Sequence, residues 1–499
     1  MLTLNSLSAV AEGVRLPRYE LHGRRAGIVH LGIGAFHRAH QAVYTDDALA
    51  AEASVNGGDW RIVGASLRSS DIVDALNHQN GLYTLLERGP RGTSARVIAS
   101  IERAIAASRE PEALLAAMAD PAIRIVSATV TEKAYGIDRT AMAVDPQHPA
   151  IASDLAAPRT PSGAIGLIVE ALRRRRQEGN APFTVLCCDN LPDNGGLIRA
   201  GVVDFARRFD PDLANWIAGE VAFPSTMVDR ITPASTEATH ADAARLTGFR
   251  DDAAVETEPF TQWVIEDRFP SGRPAWEAGG AIFASDVAPY EHMKLRMLNG
   301  SHSLLAYAGF LSGLAFVRDT LGWPPLAALV RRHLNAAAAT LSPLPGVDFA
   351  EYGDALFERF ANPAIAHQTY QIAMDGTEKL PQRILLPALA CLEKGGDIRS
   401  FAWATAAWMR YCLGRSETGE AYALRDPREA EIAATLAKAG NKAGDIAASL
   451  SSLPGLVPPA LAANPVWRDA VADSLGEMLE RGMRRAIETE AARAVSLEG

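Results

Sequence analysis

Cysteine is scarce in this chain, with only four in 499 residues. Cys187 and Cys188 are adjacent, while Cys391 and Cys412 stand far from them. That usage excludes a disulfide framework, and no pair has the spacing of a zinc site. It fits a reducing cytoplasm, which is the expected location. Positive charge is also in short supply: 49 Lys and Arg against 59 Asp and Glu give a formal net charge of −10. A nucleic-acid partner asks for a basic face, so that class is set aside. The one basic run, Arg173 to Arg176, is expected to be a solvated helix end whose cations complement the dipole. Long apolar runs are missing too. The most apolar stretch, 301–317, is interrupted by Gly309 and Ser312 and is short for a membrane span. The N-terminus has no basic segment and meets Glu12 early, unlike a signal peptide. No Gly-x-Ser-x-Gly elbow is present, so a serine hydrolase has no support.

What is there is an ordinary globular composition, 48% hydrophobic and 22% charged, on a chain too long for one core. The first half alternates strand-like and helix-like segments. Strands are expected at 28–31, 61–65, 96–101, 123–130 and 183–188, with helices at 35–49 and 165–176. Such alternation is the pattern of a parallel sheet covered by helices. From 291 onward the chain is rich in Ala and Leu, with helical periodicity at 326–341, 351–360, 385–393 and 466–487. The expected fold is α/β: a Rossmann-like N-terminal domain with a parallel-rich sheet over 1–286, then a mostly α-helical C-terminal domain over 287–499. Neither repeats nor low-complexity tracts appear.

The segment Ile28-Val-His-Leu-Gly32-Ile-Gly34-Ala-Phe36-His37-Arg38 runs strand, Gly-x-Gly turn, helix, as a dinucleotide site requires. Gly32 permits the tight turn, and Gly34 lets a pyrophosphate approach the helix start. His37 stands where the usual fingerprint has a third glycine. Phe36, His37 and Arg38 are candidates for cofactor contact, with a plain surface arginine as the bland reading of Arg38. Past the second strand come Arg68 and Asp71. A carboxylate there bonds ribose hydroxyls and repels a 2′-phosphate, favouring NAD over NADP. His37 and His40 are three apart, but no third ligand is nearby in sequence, so no metal is expected.

Lys294-Leu-Arg-Met-Leu-Asn299-Gly-Ser-His302 places an amine, a carboxamide and an imidazole in one short apolar segment. If it is α-helical, the three fall within an arc of roughly 140°. Burial among Met293, Leu295, Met297, Leu298, Leu304 and Leu305 disfavours a charged lysine, and a neutral lysine can accept a proton. A neighbouring carboxamide can donate to a developing alkoxide. The chemistry suggested is removal of a proton from an alcohol; the bland reading is a buried helix with a surface-seeking lysine. Tyr290 to Lys294 also matches the Tyr-x-x-x-Lys spacing of short-chain dehydrogenases. It lies more than 250 residues beyond the glycine turn, however, and Pro289 puts Tyr290 at a helix start.

With these residues assembled, the chain resembles the polyol-specific long-chain dehydrogenases, the mannitol 2-dehydrogenase and fructuronate reductase family. The likeness is carried by GIGAFHRAHQAVYTDDAL, VTEKAYG, FTVLCCDNLPDNG, FPSTMVDRITP, PYEHMKLRMLNGSH and NPAIAHQTYQIAMDGTEKLPQR. It implies an NAD(P)-dependent, metal-independent enzyme that binds substrate between a Rossmann-like and a helical domain. By resemblance Lys294 is the general base, and Asn190 and Asn299 are the oxyanion-stabilising pair. His302 orients substrate hydroxyls, while Asp229 and Lys379 contact more distant ones. Glu291 matches the family carboxylate that passes protons to solvent. Each has a structural alternative: Asp229 pairing with Arg230, Lys379 an ordinary surface lysine, Asn190 a helix cap. Mannitol dehydrogenases carry arginine where Gln371 stands, and the segment around Gln371 looks like the fructuronate reductase branch. A sugar acid asks for a cation there, which Lys379 or Arg383 can supply. The expected activity is NAD-dependent interconversion of an open-chain polyol and its ketose, with an aldonate of the mannonate type as the alternative. A catalytically silent NAD-binding sensor is the reading from another class. The expected partner is a small polyol or sugar acid, handled by a monomer or small homo-oligomer.

Overall fold

The computed structural model describes residues 1–52 and 58–495, and its chain divides into two compact units, Met1–Ala288 and Pro289–Gly499. The first is built on a five-stranded parallel sheet. Its spatial order is Ile101–Ala106, Arg61–Ser66, Ala26–Leu31, Ile125–Ala128, Thr184–Cys187. Every neighbouring pair is parallel. Ala26–Leu31 is buried at every position, as expected of a strand covered on both faces. One apolar cluster, with residues from the helices Pro111–Ala119, Ala164–Gln177 and Asn194–Arg207, packs on one face. A second, drawing on Gln41–Ala51 and Asp71–His78, covers the other. Taken in chain order the strands lie 3-2-1-4-5. The sheet therefore grows first one way and then the other from Ala26–Leu31, leaving a crevice at the carboxyl ends of the first and fourth strands.

Three local expectations need correction. The strand expected at 96–101 is two strands: Gly92–Ile98 pairs antiparallel with Tyr83–Gly89, and Ile101–Ala106 joins the parallel sheet. The residues between are pulled off the ladder by the helix Gln41–Ala51, since Ala99 N–H donates to Asp46 Oδ1 at 2.9 Å and Ser100 Oγ to Ala42 O at 2.7 Å. The helix expected at 35–49 is interrupted at His40, whose φ of −123° and ψ of −94° separate Ala35–Ala39 from Gln41–Ala51. There the His40 ring stacks on Phe36, and its Nε2 meets Gln262 O at 3.1 Å. The basic run does close a helix, Ala164–Gln177, with Arg176 exposed, but the other three arginines are engaged rather than simply solvated. Arg173 and Arg174 converge on the buried Glu170 carboxylate, and the buried Arg175 guanidinium donates to the carbonyls of Asp120, Ile123 and Ala181. Five donors on a planar fork suit an arginine to such a cluster of chain-end carbonyls.

The second unit is helical. Gly300–Leu311 runs through its middle, buried at eleven of twelve positions, against Pro324–Ala339, Thr369–Ala373 and Arg399–Tyr411. Among the described residues two stretches, Lys294–Asn299 and Pro381–Leu385, are π-helical, and they pack on one another. Such turns are rare and gather at functional sites. Among the described residues no helix is long and apolar enough to cross a membrane.

Candidate active site

In the first unit the glycine turn closes the carboxyl end of Ala26–Leu31. Gly32 takes φ +100°, and a side chain there would begin 2.1 Å from Thr129 O at the end of the fourth strand. Only glycine meets both demands. Gly34 is the opposite case: the nearest atom to a side chain there is Gly32 O, 4.0 Å away. Its outer face is open to a ligand, so the turn fits a dinucleotide diphosphate. Gly32→Ala is expected to abolish dinucleotide binding and to cost at least about 1–3 kcal/mol of stability. Fluorescence titration with NADH and thermal melts check this.

The residues after the turn divide. Phe36 is half-buried beside His40. His37 does not face the crevice. It is fully buried, its ring 3.5 Å from that of His30, and neither nitrogen has a hydrogen-bond partner. Burial first, then the neighbouring His30, Arg38 and His40, hold it neutral well below the usual imidazole range. Two stacked rings thus join the first strand to the helix that follows the turn. Arg38 is likewise no phosphate ligand. Its guanidinium is buried and donates to Gly34 O and Ala253 O, while its own carbonyl accepts from the Tyr83 hydroxyl at 2.6 Å. Arg68 and Asp71 are both exposed beyond the end of Arg61–Ser66. Asn190 is exposed past the edge strand Thr184–Cys187. It is not the cap of Asn194–Arg207, because Asp193 is, accepting from Gly196 N–H at 3.2 Å. Asp229 is buried at the end of Thr226–Asp229. Its neighbour Arg230 is ion-paired with Glu87 at 2.8 Å and donates to the carbonyls of Ala39 and Glu258.

In the second unit Lys294 is buried, as are its neighbours in sequence Met293, Met297 and Leu298. Its segment is not the α-helix expected. Five residues span 140° of an α-helix, whereas an i→i+5 turn brings residues five apart toward one line. The π turn therefore aligns Lys294 and Asn299 more closely than an α-helix does. Asn299 Oδ1, Ser301 Oγ and His302 Nε2 are buried without hydrogen-bond partners. Orphaned polar atoms in native structures are uncommon, and these three fall within four residues of one another in sequence. The His302 ring lies 4.7 Å from Phe360 and 5.3 Å from His367. Burial, then the charges of His367, Arg359, Arg383 and Lys294, keep His302 neutral well below its usual range. Glu291 is half-buried, three residues before Lys294 on the helix Ala288–Met293.

The distal residues are rearranged relative to expectation. Gln371 is exposed on the short helix Thr369–Ala373. Lys379 is not a ready substrate contact. Its amine donates to Met374 O at 2.6 Å and Ile372 O at 3.3 Å, and pairs with Asp375 at 3.5 Å. Three donors are thus spent on its own loop. Arg383, on the second π turn, is half-buried and makes no hydrogen bond or ion pair with any described residue. Burial draws its pKa down to about 10, opposed by Tyr307 and Asp375. His367, with a buried Nδ1 lacking a partner, went unnoticed in the sequence although it lies in a quoted motif. Among the described residues no cluster of three or more His, Cys, Asp or Glu is placed to hold a metal ion.

Comparison with known proteins gives two family matches: the mannitol dehydrogenase Rossmann domain over residues 26–278 and the mannitol dehydrogenase C-terminal domain over 286–465. A D-mannonate oxidoreductase of Escherichia coli K12 is 43% identical over 479 residues, covering 95% of this chain and 97% of that protein. The Pseudomonas fluorescens mannitol 2-dehydrogenase, solved with NAD and D-mannitol, is 37% identical with a TM-score of 0.82, covering 98% of this chain and 99% of that one. A substrate-free D-sorbitol dehydrogenase is 35% identical with a TM-score of 0.89, covering 98% and 100%.

Proposed function

Since the chain belongs to the mannitol dehydrogenase family of oxidoreductases, we propose that it oxidises a secondary alcohol of an open-chain polyol or aldonate with NAD. Lys294 is the general base. Its burial on a π turn that ends at Asn299, with His302 on the helix that follows and both Asn299 Oδ1 and His302 Nε2 lacking hydrogen-bond partners, is the observation that supports this most. In its unprotonated form the amine takes the hydroxyl proton. Asn190 and Asn299 donate to the oxygen as its charge develops. The neutral His302 ring orients a substrate hydroxyl, Asp229 accepts from another, and Glu291 passes the proton onward. When bound, the dinucleotide would supply the hydride acceptor; Gly32 and Gly34 would admit its diphosphate, and Asp71 would favour NAD over NADP. No metal takes part. In the reverse direction protonated Lys294 is the acid that delivers the proton to a ketose or keto-uronate oxygen.

The polyol–ketose pair is the primary reading, and a single feature favours the aldonate. An under-solvated arginine with no partner is costly unless an anion meets it. Arg383 is such a cation, and a sugar-acid carboxylate accepts its fork in two bonds. Initial rates on mannitol, sorbitol, arabinitol, mannonate and altronate with each cofactor test the proposal. Arg383→Ala is expected to raise KM for an aldonate about 10- to 100-fold, the loss of a charged hydrogen bond, and to leave KM for polyols unchanged. Turnover of none of these compounds, with NADH still bound, removes the enzyme reading in favour of a silent sensor.

A further inference from the structure

Thr131 has φ +74° and ψ +149°, a conformation essentially restricted to glycine and costly for a β-branched residue. Such strain persists only where surrounding structure holds it. What holds it here is the half-buried carboxylate of Asp189, the residue preceding Asn190. Oδ2 accepts from Val130 N–H at 2.9 Å and from the Tyr135 hydroxyl at 2.7 Å, and Oδ1 accepts from Thr131 N–H at 3.3 Å. The φ of Thr131 lies beyond its own N–H, and it turns the following chain into Glu132–Tyr135, whose Tyr135 hydroxyl returns to the same carboxylate, so the strained bond is held from both sides.

Asp189 is gripped from the other side as well. Its carbonyl accepts from Leu191 N–H at 2.9 Å and from Asn194 Nδ2 at 3.1 Å. Asn194 in turn exchanges bonds with the Thr226 backbone, at 2.9 and 3.0 Å. Thr226 opens the strand that ends at Asp229. The loop after the fourth strand, the edge-strand end bearing Asn190 and the strand bearing Asp229 are thus joined through one carboxylate and one amide. The same loop begins at Thr129, against which Gly32 is packed.

We propose that Asp189 is a positioning residue that, by clamping the strained Thr131, fixes Asn190 at the carboxyl end of the sheet for donation to the reacting oxygen. This rests on the dehydrogenase reading for the role of Asn190. Nothing in the clamp touches substrate, so its effect is on geometry, where a misplacement of about 1 Å costs on the order of 100-fold.

A double-mutant cycle tests it. Asp189→Asn offers one acceptor where two are needed and turns N–H groups toward donors. It is expected to lower kcat about 10- to 100-fold with NADH affinity unchanged. In the Thr131→Gly background the loop takes the same conformation without strain, so the same change lowers kcat less. The melting temperature gives an independent sign. Thr131→Gly is expected to raise Tm while Asp189 is present, because strain is removed. In the Asp189→Asn background it is expected to lower Tm, because a released loop gains only the entropy cost of glycine. Equal kcat losses in both backgrounds, a rise in Tm in both, or loss of NADH binding together with kcat overturns the clamp. A wild-type protein inert on every polyol and aldonate overturns the dehydrogenase reading instead, and the sign of the Tm change still decides the clamp.

Discussion

Lys294→Ala is expected to lower turnover about 10²- to 10⁴-fold, the usual worth of a positioned acid–base group, with NADH affinity unchanged. The glycine turn lies in the first compact unit and Lys294 in the second, so removing the amine leaves the residues proposed to hold the dinucleotide untouched. Lys294→Arg separates proton acceptance from charge. A guanidinium keeps length and positive charge but stays protonated in proteins, so this variant is expected to be about as slow as the alanine one. Stopped-flow absorbance of NADH formation and fluorescence titration give the two readouts. If Lys294 is only a packed helical residue, both variants turn over near the wild-type rate.

A second large effect is acid lability. His30, His37, His302 and His333 are all buried. Burial is the first cause of depression in each, taking His30 to about 3, His333 to about 4, and the other two well below 6.5. The native rings therefore stay unprotonated where the unfolded chain, titrating near pH 6.5, binds protons. Stability is present above that pH and is lost as pH falls toward the native values. Each ring costs up to about 1.4 kcal/mol per pH unit in that window. At pH 5.5 the four together remove roughly 5 kcal/mol, divided equally between the two units, against a typical total of about 5–15 kcal/mol. Melting temperatures recorded from pH 7.5 to 5 are expected to fall steeply below pH 6.5. A flat profile across that range contradicts the neutral burial of these rings.

The parallel sheet was legible because its signal is local. A buried strand reads as a run of β-branched residues, and Gly32 must follow the first of them whatever packs later. The segment from Lys294 to His302 stood out for the same reason, since three polar types in an apolar stretch need no partner to be noticed. Other features depend on residues far away in the chain. Arg38 turns inward because Ala253 O waits 215 positions on, and no periodicity records that acceptor. Lys379 reads as a free cation until the carbonyls of Ile372 and Met374 are seen to converge on it. The π turn at Lys294–Asn299 has no composition of its own, because it differs from an α-helix only in which carbonyl each N–H meets. The clamp of Asp189 on Thr131 joins strands 58 positions apart, and the strain it stores is invisible without backbone angles.

Chemical rescue bears most directly on the proton transfer. In Lys294→Ala, saturated with NAD and the best polyol or aldonate, added methylamine or ethylamine is expected to restore NADH formation. The rate should rise in proportion to the concentration of unprotonated amine, since the small base occupies the space the side chain has left. An alanine variant that turns over near the wild-type rate without amine, or one that no amine accelerates although substrate and cofactor bind, contradicts a base at Lys294.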